Sequence, residues 1–120
     1  MSRLVRMTQF FPSSSIQQVT VLGATGSIGT STLDVIARHP EQFRVFALSA
    51  ATQTDKMLEL CRRFAPRYAV MASEPHARAL REACQTHGLA VEVLSGEQGL
   101  VEVSSHPEVD AVMAAIVGAA

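Results

Sequence analysis

Three glycines at a fixed spacing, in Gly23-Ala24-Thr25-Gly26-Ser27-Ile28-Gly29, are the residues of this 120-residue chain best suited to chemistry. That chemistry is the binding of a dinucleotide pyrophosphate. The apolar run Val19-Thr20-Val21-Leu22 comes first and a helical pattern opening near Ile28 follows. A buried strand, a glycine turn and a helix N-terminus together present unpaired backbone N–H groups and the positive end of the helix dipole to an anion. Gly23 suits the tight turn, Gly26 a close approach of backbone to phosphate, and Gly29 close packing of helix on strand. The spacing is GxxGxxG where the usual fingerprint is GxGxxG. A bland alternative is a loop whose glycines serve backbone geometry alone.

A pyrophosphate site of this kind needs a parallel sheet behind it, and the remaining pattern supplies one. Ile28, Thr32, Val35 and Ile36 form a predicted helical face that stops at His39-Pro40. Phe43 to Ala50 predicts a second strand whose continuous apolar run suits a strand covered on both faces. Met57, Leu60, Cys61 and Phe64 recur at helical spacing before Pro66. Tyr68 to Met71 predicts a third strand. Ser73 and Pro75 predict a helix start, with a stop at Gly88. Val91 to Leu94 predicts a fourth strand, Gly96 to Ser105 a short helix and Ala111 to Val117 a fifth strand. Strands alternating with helices predict an α/β fold, a Rossmann-type doubly wound parallel sheet with its ligand at the carboxyl ends of the strands. The division expected is a disordered or extended lead-in over residues 1–18 and one domain over residues 19–120.

Composition narrows the function classes. Hydrophobic residues make up 48% of the chain and charged ones 18%, which predicts a folded domain. A formal net charge of −1 gives no bulk reason to expect nucleic acid or an anionic membrane as a partner. No acid precedes Asp34 and no Lys or Arg follows Arg81, so the surface near the glycine loop leans positive. Cys61 and Cys84 lack metal-ligand spacing and read as buried, reduced core residues of a cytoplasmic protein. The longest apolar run, Ala111 to Ala120, is half of what a spanning helix requires. None of His39, His76, His87 and His106 has metal-site spacing, and Glu92, Glu97, Glu102 and Glu108 read as solvated charge. Arg62, Arg63 and Arg67 read as an exposed helix end, and Thr30-Ser31-Thr32 as packing or capping residues without a paired base.

Choice of cofactor rests on the end of the second strand. NAD sites usually place an acid there to hold the ribose 2′-OH. Here Ser49-Ala50-Ala51-Thr52-Gln53 carries none before Asp55, and Lys56 lies close by, which favours NADP over NAD. The competing reading is that this segment merely starts a helix, with Thr52 or Thr54 as its cap.

VTVLGATGSIGTSTLDVIARHPEQFRVFALSA, FAPRYAVM, VEVLSGEQGL and VDAVMAAIVGAA closely resemble the 1-deoxy-D-xylulose 5-phosphate reductoisomerases from Val19 to Ala120. The resemblance implies NADPH and a divalent metal, Mg or Mn. It implies rearrangement and reduction of that phosphorylated sugar to 2-C-methyl-D-erythritol 4-phosphate in non-mevalonate isoprenoid synthesis. It places Thr25, Gly26, Ser27 and Ile28 along the NADPH pyrophosphate, and Ala51, Thr52 and Gln53 at the second cofactor segment. There the family often has glycine, a basic residue and asparagine, so this chain departs by bringing no charge at Thr52. The family's acidic metal ligands, substrate-phosphate site and lid follow the AIVGAA stretch, so no catalytic or metal-binding residue is carried over. The implied chain is the N-terminal, NADPH-binding part of a longer cytoplasmic enzyme, a homodimer when full length, without turnover alone. A stand-alone nucleotide-sensing module is the alternative from another class. A semialdehyde or homoserine type of dehydrogenase shares the glycine loop but not PRYAVM or AIVGAA.

Overall fold

The computed structural model describes residues 16–114; expectations for residues 1–15 and 115–120, including all of AIVGAA and the end of the predicted fifth strand, lie outside them. Five strands and four helices alternate: β1 (Gln17–Leu22), α1 (Ser27–Arg38), β2 (Phe43–Ala50), α2 (Thr54–Phe64), β3 (Tyr68–Met71), α3 (Glu74–Thr86), β4 (Glu92–Ser95), α4 (Gly96–Ser105) and β5 (Ala111–Ala114). All pairings are parallel and the order across the sheet is β4-β3-β2-β1-β5. The chain walks outward from β1 to β4 and then returns to the other side of β1. The order therefore reverses between β1 and β5, where a doubly wound sheet opens a crevice at its carboxyl edge.

Strand alternation sorts the core into two layers. Val19, Val21, Val45, Leu48, Ala69, Met71 and Val93 meet Leu33 and Ile36 of α1, Met57 and Cys61 of α2, and Leu80 and Cys84 of α3. Their neighbours Phe46, Tyr68 and Val70 meet Val103 and Leu100 of α4 on the opposite face. Register slips between Val19 and Thr20, leaving Phe46 as an extra residue opposite β1. That bulge sends both Phe46 and Ala47 to the α4 side. Thr20, fully buried, donates its hydroxyl to the Val103 carbonyl at 2.8 Å and so ties α4 to β1. Cys61 and Cys84 are both buried between α2 and α3. Burial, with the Cys84 thiol alongside, pushes the Cys61 thiol up to about 12.

Four local expectations need correction. The inward face of α1 is Gly29, Leu33 and Ile36, while Ile28 and Val35 are 48% and 50% exposed. Contact between Gly29 and the glycine loop sets the rotation of this helix, and apolar periodicity alone did not reveal it. Ser73 holds the cap position of α3, but its hydroxyl shares a hydrogen bond with His76 Nδ1 at 2.8 Å and caps no backbone N–H. The start of α2 is capped by neither threonine: Gln53 stands at the cap position and contributes no side-chain bond. Strand β1 begins at Gln17, two residues before the apolar run.

Candidate dinucleotide-binding site

Because every strand is parallel, Leu22, Ala50, Met71, Ser95 and Ala114 all end at one edge of the sheet. The glycine loop leaves β1 at this edge, and the Ala51–Gln53 link leaves β2 beside it. Gly23 turns the chain with φ of 71°, a conformation that costs other residues roughly 1–2 kcal/mol. Gly29 sits in the first turn of α1. A Cβ there would fall 2.2 Å from the Gly23 carbonyl oxygen and 2.8 Å from Ala24 Cα, so only glycine lets the helix approach. Ala24, fully buried, anchors the middle of the loop.

Ser49 fastens the loop to β2. Its Oγ accepts from the Gly23 N–H at 3.0 Å, and its carbonyl accepts from the Ala24 N–H at 2.7 Å. Spacing arguments missed this residue. The signal for it was a lone hydroxyl within the apolar run Val45 to Ala50.

Gly26 is different in kind. Its backbone is extended, with φ of −80°. An added Cβ would meet nothing nearer than the Gly23 oxygen at 3.6 Å, an ordinary contact. The protein's own packing does not require a glycine there; what the missing side chain leaves is open space at the mouth of the loop. Gly26 is also the cap position of α1, where no side chain bonds the helix and no acid occupies the first turn. The first helical bond is that from the Thr30 N–H to the Gly26 carbonyl, at 2.9 Å. The N–H groups of Ser27, Ile28 and Gly29 consequently have no carbonyl within the helix. Gly26, Ser27 and Ile28 are exposed and Gly29 is buried, so the donors of Ser27 and Ile28 and the helix dipole face outward. Such an arrangement holds an anion.

Two clefts flank the loop. One, of about 220 Å³, is lined by Gly23, Ser49, Ala51, Val70, Met71 and Leu100 among others, and is almost wholly apolar. The other, of about 300 Å³, lies between loop and α2 and is lined by Thr25, Thr30, Lys56, Glu59 and Leu60. Of the residues singled out in the sequence, Gly23 and Ala51 line the first cleft and Thr25 the second. Thr52 and Gln53 stay exposed at the head of α2. Val70, Met71, Ala72 and Leu100 escaped notice because they reach the cleft only through long-range pairing of β3 and packing of α4.

At the head of α3 two charges are already engaged. Glu74 Oε1 accepts from Ser95 Oγ at 2.9 Å, and Arg81 lies 3.4 Å from Oε2. The Ser95 bond, with Arg81 behind it, holds the Glu74 carboxyl below the usual carboxylate range. Among the described residues no three His, Cys, Asp or Glu side chains converge as metal ligands. No helix among them is long and apolar enough to cross a membrane.

The family model of 1-deoxy-D-xylulose 5-phosphate reductoisomerase matches residues 19–120. The chain belongs to that family. The 1-deoxy-D-xylulose 5-phosphate reductoisomerase of Dechloromonas aromatica is 59% identical over 108 residues, covering 90% of this chain and 27% of its own length. The chain thus spans about a quarter of the length of the curated relatives it matches. A crystal structure of DOX-P reductoisomerase with magnesium superposes with a TM-score of 0.82 at 41% identity, covering 88% of this chain and 26% of that one. A second, in complex with NADPH, fosmidomycin and magnesium, gives a TM-score of 0.81 at 41% identity over 87% of this chain and 25% of that one. A Rossmann-type reading of the sheet agrees with these neighbours.

Proposed function

We propose that this chain binds NADPH and serves as the cofactor-binding part of a reductoisomerase acting on 1-deoxy-D-xylulose 5-phosphate. The observation that carries the reading is Gly26. A side chain is missing where packing does not demand it, directly over an uncapped helix N-terminus. Space and free donors at one point suit a pyrophosphate.

NADPH, when bound, supplies a hydride to the rearranged sugar phosphate. The chain's own part is to hold and orient it. Thr25, Ser27 and Ile28 offer backbone N–H groups to the two phosphates; Gly26, whose own N–H donates to the Gly23 carbonyl at 3.2 Å, gives them room, while Gly23 and Gly29 keep the loop against β1. The apolar cleft at the ends of β1, β2 and β3 takes the adenine ring, shielding its faces with Ala51, Val70, Met71 and Leu100. Ala51, Thr52 and Gln53 follow β2 beside the loop and line the adenosine ribose, with Thr52 and Gln53 as hydrogen-bond donors. The reaction's divalent metal, Mg or Mn, finds no fitting ligand set among the described residues. Action on a phosphorylated sugar, a homodimeric assembly and a cytoplasmic setting belong to the same reading.

Calorimetric titration of the protein with NADPH and, in parallel, NADH tests it. Saturable binding of NADPH, tighter than that of NADH, is expected. Absence of binding by both nucleotides overturns the reading.

A further inference from the structure

Selectivity for a phosphorylated ribose needs a cation, and the link that follows β2 has none: Ala51, Thr52 and Gln53 are all uncharged. The nearest acid and base on the same segment are Asp55 and Lys56, in the first turn of α2. They differ in placement, because Lys56 lines the cleft shared with Thr25 of the glycine loop and Asp55 does not.

Lys56 is also the cation left to act there. Of the two clefts that flank the loop, the apolar one has no charged lining residue, and the other has Lys56 as its single base. Lys56 takes part in none of the ion pairs among the described residues. Other basic side chains on α2 are occupied: Arg62 lies 3.3 Å from Glu59, and Arg63 lies 3.5 Å from Asp34 of α1. Glu59 lines the same cleft, but Arg62 engages its carboxylate. Thr25 and Thr30 add two hydroxyl groups to a cleft whose exposed lining is otherwise mostly apolar. Thr30 Oγ1 lies 3.5 Å from the Ala24 carbonyl, too far for a strong bond, and is therefore available.

We infer that Lys56 holds the ribose 2′-phosphate of the dinucleotide, in the cleft between the glycine loop and α2, and so determines the preference for NADPH over NADH. The inference rests on the proposed binding of NADPH by this loop. Geometry supports it. A dinucleotide with its pyrophosphate at the loop and its adenine in the apolar cleft carries its ribose across the end of β2. That path passes the first turn of α2, where Lys56 lines the neighbouring cleft. Lysine suits the task as a point charge on a flexible stem, needing no bidentate geometry.

The test compares wild type, Lys56→Gln and Lys56→Arg by calorimetric titration with NADPH and NADH. Lys56 is exposed, and retained NADH binding reports a folded site. Expected is a loss of about 10- to 100-fold in NADPH affinity for Lys56→Gln, with NADH unchanged and Lys56→Arg near wild type. Equal NADPH affinity in wild type and Lys56→Gln overturns the role of Lys56 while leaving NADPH binding in place. Equal loss for both nucleotides also overturns it, since the lysine would then act on a part common to both. A wild type that binds neither nucleotide removes the underlying reading and this one with it.

Discussion

The two ends of the sheet are built to opposite rules. At the end where the strands begin, several polar groups find partners within the protein. The Gln18 N–H donates to Asp110 Oδ2 at 2.7 Å, and the Asp110 N–H returns a bond to the Gln18 carbonyl at 2.8 Å. Arg67 meets Glu108 at 2.9 Å and lies over the Tyr68 ring. The Glu108 N–H donates to His106 Nδ1, whose ring packs 4.8 Å from that of Phe46. At the end where the strands finish, the first turn of α1 keeps its donors free, and Lys56 has no ion-pair partner among the described residues. One end closes the fold and the other leaves hydrogen-bonding capacity unspent. Unused backbone donors gathered at one loop beside a cleft are what distinguish a binding site from a surface.

Substitutions at the two ends should therefore behave differently. The largest effect is expected from Gly29→Ala. Its methyl group would overlap the Gly23 oxygen, backbone that cannot swing aside. Urea denaturation should show a loss of about 3 kcal/mol, the upper end of what overpacking costs, and titration should show no NADPH binding. A variant with wild-type stability and affinity would refute the close approach of helix to loop. A smaller effect is expected from Ser49→Ala, which leaves the Gly23 N–H unpaired in a half-buried setting. The expected cost is about 1–2 kcal/mol, with NADPH affinity reduced several-fold because the loop loses its tether while keeping its shape. Least of all is expected at the closed end. Arg67→Ala removes an exposed ion pair, so NADPH affinity should not change and the thermal midpoint should barely move. A marked fall in NADPH affinity from Arg67→Ala would erase the contrast between the ends.

Much of this division was legible beforehand, for reasons that differ by element. Strands β2 and β3 and helix α4 carry their limits locally, in an unbroken apolar run or in a Ser-Gly junction, and their observed ranges match expectation. The glycine loop was legible because its function depends on backbone conformation, which residue type controls directly. Rotation of α1 was not, since it depends on the close approach of Gly29 to Gly23 and Ala24, which periodicity does not encode. Nor was the apolar cleft, whose walls come from Gly23, Ser49, Met71 and Leu100, brought together from four elements by the crossovers. Ser49 lay in plain view, but its partner, the Gly23 N–H, is 26 residues away and defined only by strand register.

The buried cysteines give the molecule an internal clock. Cys61 and Cys84 stand on different helices of one layer, with their thiols shielded from solvent and held protonated. A thiol-selective reagent reacts with thiolate, so labelling must wait until α2 and α3 part. The rate of modification then counts openings of the layer that carries the glycine loop's helix. A ligand that fastens α1 and α2 together would slow that count without touching either sulfur.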